Sequence, residues 1–195
     1  MGFLTERCTL RVLTRDLLFS CKPFVCGNED LDEYFSKDAA LYQEQLLGKT
    51  YCYTFDEEPT TIVCAFTLSN DSVRVDHLPS SRRNRVNSLI PFPKRLRRYP
   101  AVLIGRLGVN VDFADMGVGS ELMDLLKMWF VLPDNKAACR FLAVDSYNQI
   151  HTLHYYRKNG FEFLFSTEEQ EAKNSGITNR LSTRYMYFDL IDIVN

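Results

Sequence analysis

Gly117 and Gly119, set between Met116 and Ser120, are the residues whose type and spacing bear most directly on chemistry. Glycine turns the chain without strain and leaves the backbone N–H groups unshielded by a Cβ. A helix beginning at such a turn offers unpaired amides and the positive end of its dipole, which together hold an anion. Three sequence patterns compete for this stretch. A P-loop is excluded, because no Gly-Lys-Ser/Thr follows. The dinucleotide fingerprint fits poorly, since its third glycine position is Leu122 and the pair comes late after the apolar run. A plain turn is the third reading, and the two glycines alone leave it open.

Other side chains are open to more than one reading. Arg106 stands among apolar neighbours in AVLIGRLGV, and an arginine buried there needs a partner, in a substrate cleft or on a structural carboxylate. Asp145 and Glu162 are candidate bases at strand positions, with a solvated or paired charge as the alternative. Histidines 77, 151 and 154 and cysteines 8, 21, 26, 52, 64 and 139 show neither CxxC nor zinc spacing, so no metal site is expected.

The elements that must position these groups follow from periodicity. The run 101–111 is rich in Val, Leu and Ile and reads as a central strand with both faces covered. After the glycine turn, Leu122, Leu125, Leu126 and Trp129 keep helical spacing over 119–131, and Pro133 stops the helix. A strand at 139–145 and a helix at 148–159 follow, the latter ended by Gly160. Upstream, 7–14 alternates like a strand, and 28–47 reads as a helix capped by Asn28 and closed by Gly48. Strands 50–55 and 61–69 form a hairpin across DEEPT. A short strand at 161–165, a charged loop at 166–182 and a strand near 184–192 complete the chain. Mostly antiparallel strands around one strand-helix-strand crossover predict a mixed α/β fold.

With 195 residues, 46% apolar and 25% charged, the chain reads as one globular domain, residues 1–195. No apolar run reaches membrane-spanning length, and the N-terminus has no signal-peptide core. Free cysteines inside expected strands suggest a reducing, cytoplasmic setting. The net charge of −2 conceals a segregation. Residues 80–100 carry seven basic and no acidic residues (Arg82, Arg83, Arg85, Lys94, Arg95, Arg97 and Arg98). The remainder, 23 less 7, holds 16 basic against 25 acidic residues, a net of −9. Such a segment reads either as a local polyanion contact or as a solvated loop.

Two motifs in register carry a family resemblance. Ala114-Asp115-Met116-Gly117-Val118-Gly119 follows the central strand, and Tyr156-Arg157-Lys158-Asn159-Gly160-Phe161 closes the next strand-helix unit. In this the chain resembles the GNAT family of acyl-CoA N-acetyltransferases. The family pattern begins with Arg or Gln where this chain has Ala114, so the cradle here relies on backbone amides. Phe24-x-Cys26-Gly27-Asn28 and Gly105-Arg106-Leu107-x-Val109 are similar to the branch that contains toxin acetyltransferases of toxin–antitoxin pairs.

The resemblance implies a mostly antiparallel sheet flanked by helices, with splayed parallel central strands. It implies acetyl-CoA as cofactor, bound by Leu107, Gly108, Val109, Asp115, Met116, Gly117, Val118, Gly119, Ser120 and Asn148. Tyr156 takes the role of the acid that protonates the departing thiolate, which suits a phenol of pKa near 10. Its neighbour Tyr155 is then the core aromatic. The Val109 amide would meet the oxyanion. Members of the branch acetylate aminoacyl-tRNA and are silenced by a ribbon-helix-helix antitoxin. On that pattern the basic segment and Arg106 form an RNA patch, and a second copy of the chain is a further partner. An acetyltransferase for a small amine or a protein N-terminus, and a non-catalytic acyl-CoA-binding protein, are the competing readings.

Overall fold

Side-chain caps and glycine turns set several element boundaries in the computed structural model, which describes residues 2–194. Phe3–Arg7 (α1) precedes the strand Cys8–Val12 (β1), and Arg15–Ser20 (α2) follows it. The Thr14 hydroxyl caps α2 by accepting the Leu17 N–H at 3.2 Å. Asn28 caps the next helix as its sequence predicts, its Oδ1 accepting the Leu31 N–H at 3.2 Å.

That helix is not uniform. Glu29–Glu33 (α3) passes through a π-helical turn, Tyr34–Asp38, into Ala39–Glu44 (α4). The wider turn lets the adjacent pairs Tyr34–Phe35 and Ala39–Ala40 all be buried, which an unbroken 3.6-residue stripe disfavours. Tyr42 and Leu46, toward the end of the segment, are exposed. The chain leaves the helix with Leu46 at φ +58°, two residues before the predicted stop at Gly48.

Lys49–Phe55 (β2) and Glu58–Arg74 (β3) form the expected hairpin, with Asp56 and Glu57 alone as its turn. The stretch 70–100 is more ordered than its composition suggests. It holds the end of β3, the helix Ser80–Asn87 (α5) and a 3-10 turn at Pro93–Arg95. The strand Arg98–Val109 (β4) starts three residues earlier than predicted. Val118–Val131 (α6), Phe141–Tyr147 (β5), Ile150–Lys158 (α7) and Glu162–Phe163 (β6) follow. Glu168–Ser175 (α8) is a helix where a charged loop was expected, and Thr183–Asp189 (β7) ends the sheet.

The strand order is β1-β2-β3-β4-β5-β7-β6, mostly antiparallel with one parallel pair, β4 with β5. The chain forms two compact units. One contains the residues up to Ser69 together with Ile104–Met128. Its core gathers Leu13, Phe24, Phe35, Cys52, Ile62 and Ala65. The other contains Asn70–Leu103 and the residues from Trp129 onward. Its core gathers Val73, Val75, Tyr99, Phe141, Ala143 and Tyr187. Within it, Ala101–Leu103 pair in parallel with Phe141–Ala143, and β5 pairs antiparallel with β7 along seven residues.

All six cysteines are free thiols. Cys52 and Cys64 are buried in strands, whereas Cys139 lies just before β5 rather than in it. Among the described residues no helix is long and apolar enough to cross a membrane, and no group of three or more metal-ligating side chains assembles.

Candidate functional site

The first unit builds the glycine turn from β4 outward. Leu107 and Val109 are half-buried and Gly108 is buried, so this end of β4 is less covered than a fully buried strand. A Cβ at Gly108 would lie 3.0 Å from the Cys26 Cβ and 3.3 Å from the Phe24 ring. Glycine there is a packing requirement: it admits the Phe24–Cys26 segment, which is further tied by the Val111 N–H donating to the Val25 carbonyl at 3.0 Å. Gly27, at φ +82°, then turns that segment toward the Asn28 cap.

Beyond β4 the buried Asn110 fixes the turn. Its Nδ2 donates to the Ile62 carbonyl at 2.9 Å, and its Oδ1 accepts the Asp112 N–H at 3.1 Å. Ala114, Asp115, Met116 and Gly117 are all exposed, with Asp115 at φ +58° and Gly117 at φ +80°. No heavy atom comes within 4 Å of a Cβ built on Gly117. Val118, buried, opens α6 with Gly119 in its first turn, and the N–H groups of Ser120 and Glu121 both donate to the Gly117 carbonyl at 3.1 Å. An exposed, unobstructed backbone thus leads into a helix N-terminus, the geometry an anionic group requires.

The second unit holds Tyr156. It is 8% exposed, on α7, with ring centroids 5.0 Å from Tyr155 and 5.5 Å from Phe161. The burial order reverses the expected one, since Tyr155 is only half-buried. The Tyr156 hydroxyl has no hydrogen-bond partner among the described residues, and burial drives its pKa upward. At neutral pH it is a protonated phenol with a proton to give. Gly160 sits at φ +82° just past α7, where its N–H donates to the Arg157 carbonyl and the Phe161 N–H to the Tyr156 carbonyl, each at 3.0 Å. That is the glycine stop predicted for this helix.

Asn148 lies before α7 rather than in it, and Gln149 is the cap residue. Its side-chain amide donates to the Leu181 carbonyl at 2.9 Å and its backbone N–H to the Ser182 carbonyl at 2.8 Å. The side chain therefore ties down the segment before β7.

The arginines divide. Arg82 donates through Nε to the Leu164 carbonyl at 3.0 Å and through Nη2 to the Phe163 carbonyl. Arg85 grips the Glu162 carboxylate with Nε, at 2.6 Å, and Nη2. The same contact holds the Glu162 pKa below its ordinary value, which removes it as a candidate base. Arg95 lies over the Phe92 ring at 5.2 Å, while Arg97 and Arg98 are exposed with no side-chain partner among the described residues. Arg83 and Arg97 line one cavity of about 890 Å³. The side chain of Lys94 lies outside the described residues. Arg106, expected to be buried, is exposed on β4. It has no carboxylate partner among the described residues; its Nη1 donates to the Gly105 carbonyl at 2.8 Å, and its guanidinium lies 5.1 Å over the Tyr34 ring.

Sequence reasoning missed two supports of the turn. Asn110, directly after an apolar strand, carries the signature of a side chain that closes a turn on a nearby backbone N–H. Glu121 accepts the N–H groups of Leu4 and Thr5 at 2.9 and 3.1 Å and so caps α1 from the first turn of α6. No local pattern announces a contact made across more than a hundred residues.

The sequence matches no protein-family model and no curated protein. Solved structures do match. AtaT complexed with acetyl-methionyl-tRNAfMet is 17% identical over 96% of this chain and 97% of its own, with a TM-score of 0.67. AtaTR bound with AcCoA is 17% identical over 97% of each chain, at 0.65. The KacTA–DNA complex is 14% identical over 96% of each chain, at 0.62. The chain has the fold of these proteins, a mixed α/β sheet flanked by helices, end to end.

Proposed function

We propose that the protein is an acyl-CoA N-acetyltransferase that moves an acetyl group from acetyl-CoA to a primary amine, with the α-amine of aminoacyl-tRNA as acceptor. The observation that carries this reading is the buried residue Tyr156, whose hydroxyl makes no hydrogen bond among the described residues, in a chain whose fold is shared with AtaT, a protein solved with acetyl-CoA and with acetyl-methionyl-tRNAfMet. The backbone from Asp115 to Ser120 would hold the pyrophosphate, and the amides of Leu107, Gly108 and Val109 would meet the pantetheine and the developing oxyanion. When bound, acetyl-CoA supplies the activated thioester. Tyr156 holds a proton for the sulfur that must leave. Reactivity toward free α-amines needs little help from a base, because their pKa is near 7.7–8.0 and a useful fraction is neutral.

Arg83, Arg95, Arg97 and Arg98, with Arg106, would contact the phosphates of the RNA. AtaT has been solved with the C-terminus of its antitoxin AtaR, and a ribbon-helix-helix antitoxin and a second copy of this chain are the protein partners this reading implies. It places the protein in the cytoplasm, where charged tRNA is found.

Two measurements test the core of the proposal. Acetyl-CoA at about a hundredfold over its Kd should stabilise the fold by about 3 kcal/mol in a thermal melt. Tyr156→Phe should keep that stabilisation and lose roughly 10²- to 10⁴-fold in acetyl transfer. Unchanged transfer by the variant would refute the role of Tyr156, and no shift with acetyl-CoA would refute the reading as a whole.

A further inference from the structure

The second unit leaves two arginines outside both the clamp at β6 and any ion pair among the described residues. Arg83 lies about 100° round α5 from Arg82 and about 200° from Arg85, so it does not share their direction toward β6. It is half-buried, and its side chain has no partner among the described residues. Arg97 approaches from the other end of the acid-free segment. Its carbonyl accepts the Val75 N–H at 3.0 Å, which fixes its backbone to the residue after β3. Both arginines line the cavity of about 890 Å³.

The rest of the wall offers donors. Asp76 lines it, but that carboxylate is already engaged: Arg74 Nη2 and His77 Nδ1 each lie 3.2 Å from it. The Asn87 Oδ1 accepts the Tyr99 hydroxyl at 2.8 Å, so what that side chain has left to offer is its Nδ2 donors. Two forked cations and an amide donor make a wall suited to phosphate oxygens. Val75 and Leu96 add apolar surface, and the volume is that of a site for a nucleotide-sized ligand.

A second observation shows what would accompany the phosphate. Phe92 precedes Pro93, another wall residue, and sits at φ +53° and ψ +49°. A bulky side chain rarely adopts that conformation, which costs free energy to hold. The fold gains no burial in return, since Phe92 is 72% exposed. The Arg95 guanidinium lies 5.2 Å from the ring centroid. An exposed ring beside arginines is a platform on which an unpaired base of any identity stacks. We propose that the cavity and Phe92 together take one unpaired nucleotide, its phosphate between Arg83 and Arg97 and its base on the Phe92 ring. The assignment rests on the RNA reading for its role and sharpens it, because a stacking ring selects single-stranded over paired RNA where arginines alone would not.

The probes are a mixed-sequence RNA of about ten nucleotides, the same strand annealed to its complement, and AMP, followed by fluorescence anisotropy or its competition. The wild-type protein should bind the single strand roughly tenfold or more tightly than the duplex. Phe92→Ala should abolish that preference and leave duplex binding unchanged, whereas Phe92→Trp should keep it. Arg83→Gln and Arg97→Gln should each lower the slope of log K against log salt for the single strand by about 0.7. AMP identifies the source of the nucleotide: AMP at least tenfold weaker than the strand assigns a nucleotide within RNA, and AMP equal to it assigns a free nucleotide. Unchanged urea midpoints show that the variants fold. The proposal is overturned if the wild type binds strand and duplex alike, if Phe92→Ala keeps the preference, or if both arginine variants keep the wild-type slope. Strand preference without an acetyl-CoA thermal shift would overturn acetyl transfer while leaving the nucleotide site; the shift without the preference would do the reverse.

Discussion

Arg82 and Arg85 precede a second arginine group, Arg95, Arg97 and Arg98, in the same acid-free segment, yet the two groups have opposite duties. The first pair sits on α5 and points at β6, the edge strand of the sheet, covering its last carbonyls and holding Glu162. An edge strand two residues long has little pairing of its own, and a cationic cover shields its open side. The second group runs from the end of the 3-10 turn at Pro93–Arg95 to the first residue of β4, and meets solvent. One residue type in one segment thus supplies both a structural clamp and an exposed patch. What separates them is the secondary structure they ride on, because a helix aims its side chains repeatedly at one neighbour and a short turn leading into a strand end does not.

The largest effect should come from the exposed group. Changing Arg95, Arg97 and Arg98 to Glu should leave the urea midpoint unchanged within error while weakening tRNA binding by roughly 10²-fold and flattening its salt dependence by two to three charges' worth of slope. Filter binding across a salt series measures both. Retained affinity would assign RNA contact elsewhere and collapse the distinction between the two groups.

Arg82→Ala should give the mirror image. Two carbonyls at the sheet edge lose a charged donor, so stability should fall by about 2 kcal/mol in a denaturant titration. Binding of RNA by the protein that remains folded should not change. A loss of binding larger than the loss of folded protein would show that Arg82 serves both duties.

How far these features were readable in the sequence depended on whether they were local. The Asn28 cap and the Gly160 stop were legible, because each satisfies backbone groups within a few residues. The mixed α/β class was legible from periodicity and crossover spacing. Helix α8 was not: EEQEAKNS has no apolar stripe, and its place is set by the Thr167 cap and by Glu171 reaching Arg184. The π-helical turn at Tyr34–Asp38 was invisible for a similar reason, since only the packing of adjacent aromatics reveals it. At the candidate site, Gly117 proved to be the conformationally demanding glycine, while Gly119 lies within α6. The exposure of Arg106 was misjudged because apolar neighbours in sequence need not be neighbours in space. Tyr156 and Tyr155 could not be ranked by burial from sequence, as both lie on one short helix.

The smallest effect, and the sharpest in sign, concerns Arg85 and Glu162. Their bidentate contact is largely solvent-exposed, so Arg85→Ala should cost no more than about 1 kcal/mol at neutral pH. The contact lowers the Glu162 pKa in the folded state, chiefly through the Arg85 hydrogen bonds. A carboxylate with a depressed folded-state pKa contributes stability that is complete above its unfolded value, near 4.3, and is lost as pH falls through the folded value. The gap in stability between wild type and Arg85→Ala should therefore be constant from about pH 7 to pH 5 and close progressively below about pH 4. Paired urea titrations at several pH values read this directly. A gap that persists at low pH would mean that Arg85 acts by packing over β6 rather than by its charge. The clamp side of the comparison would then be hydrophobic in origin, and Arg82, which donates to neutral carbonyls, would be the only member whose charge matters to the fold.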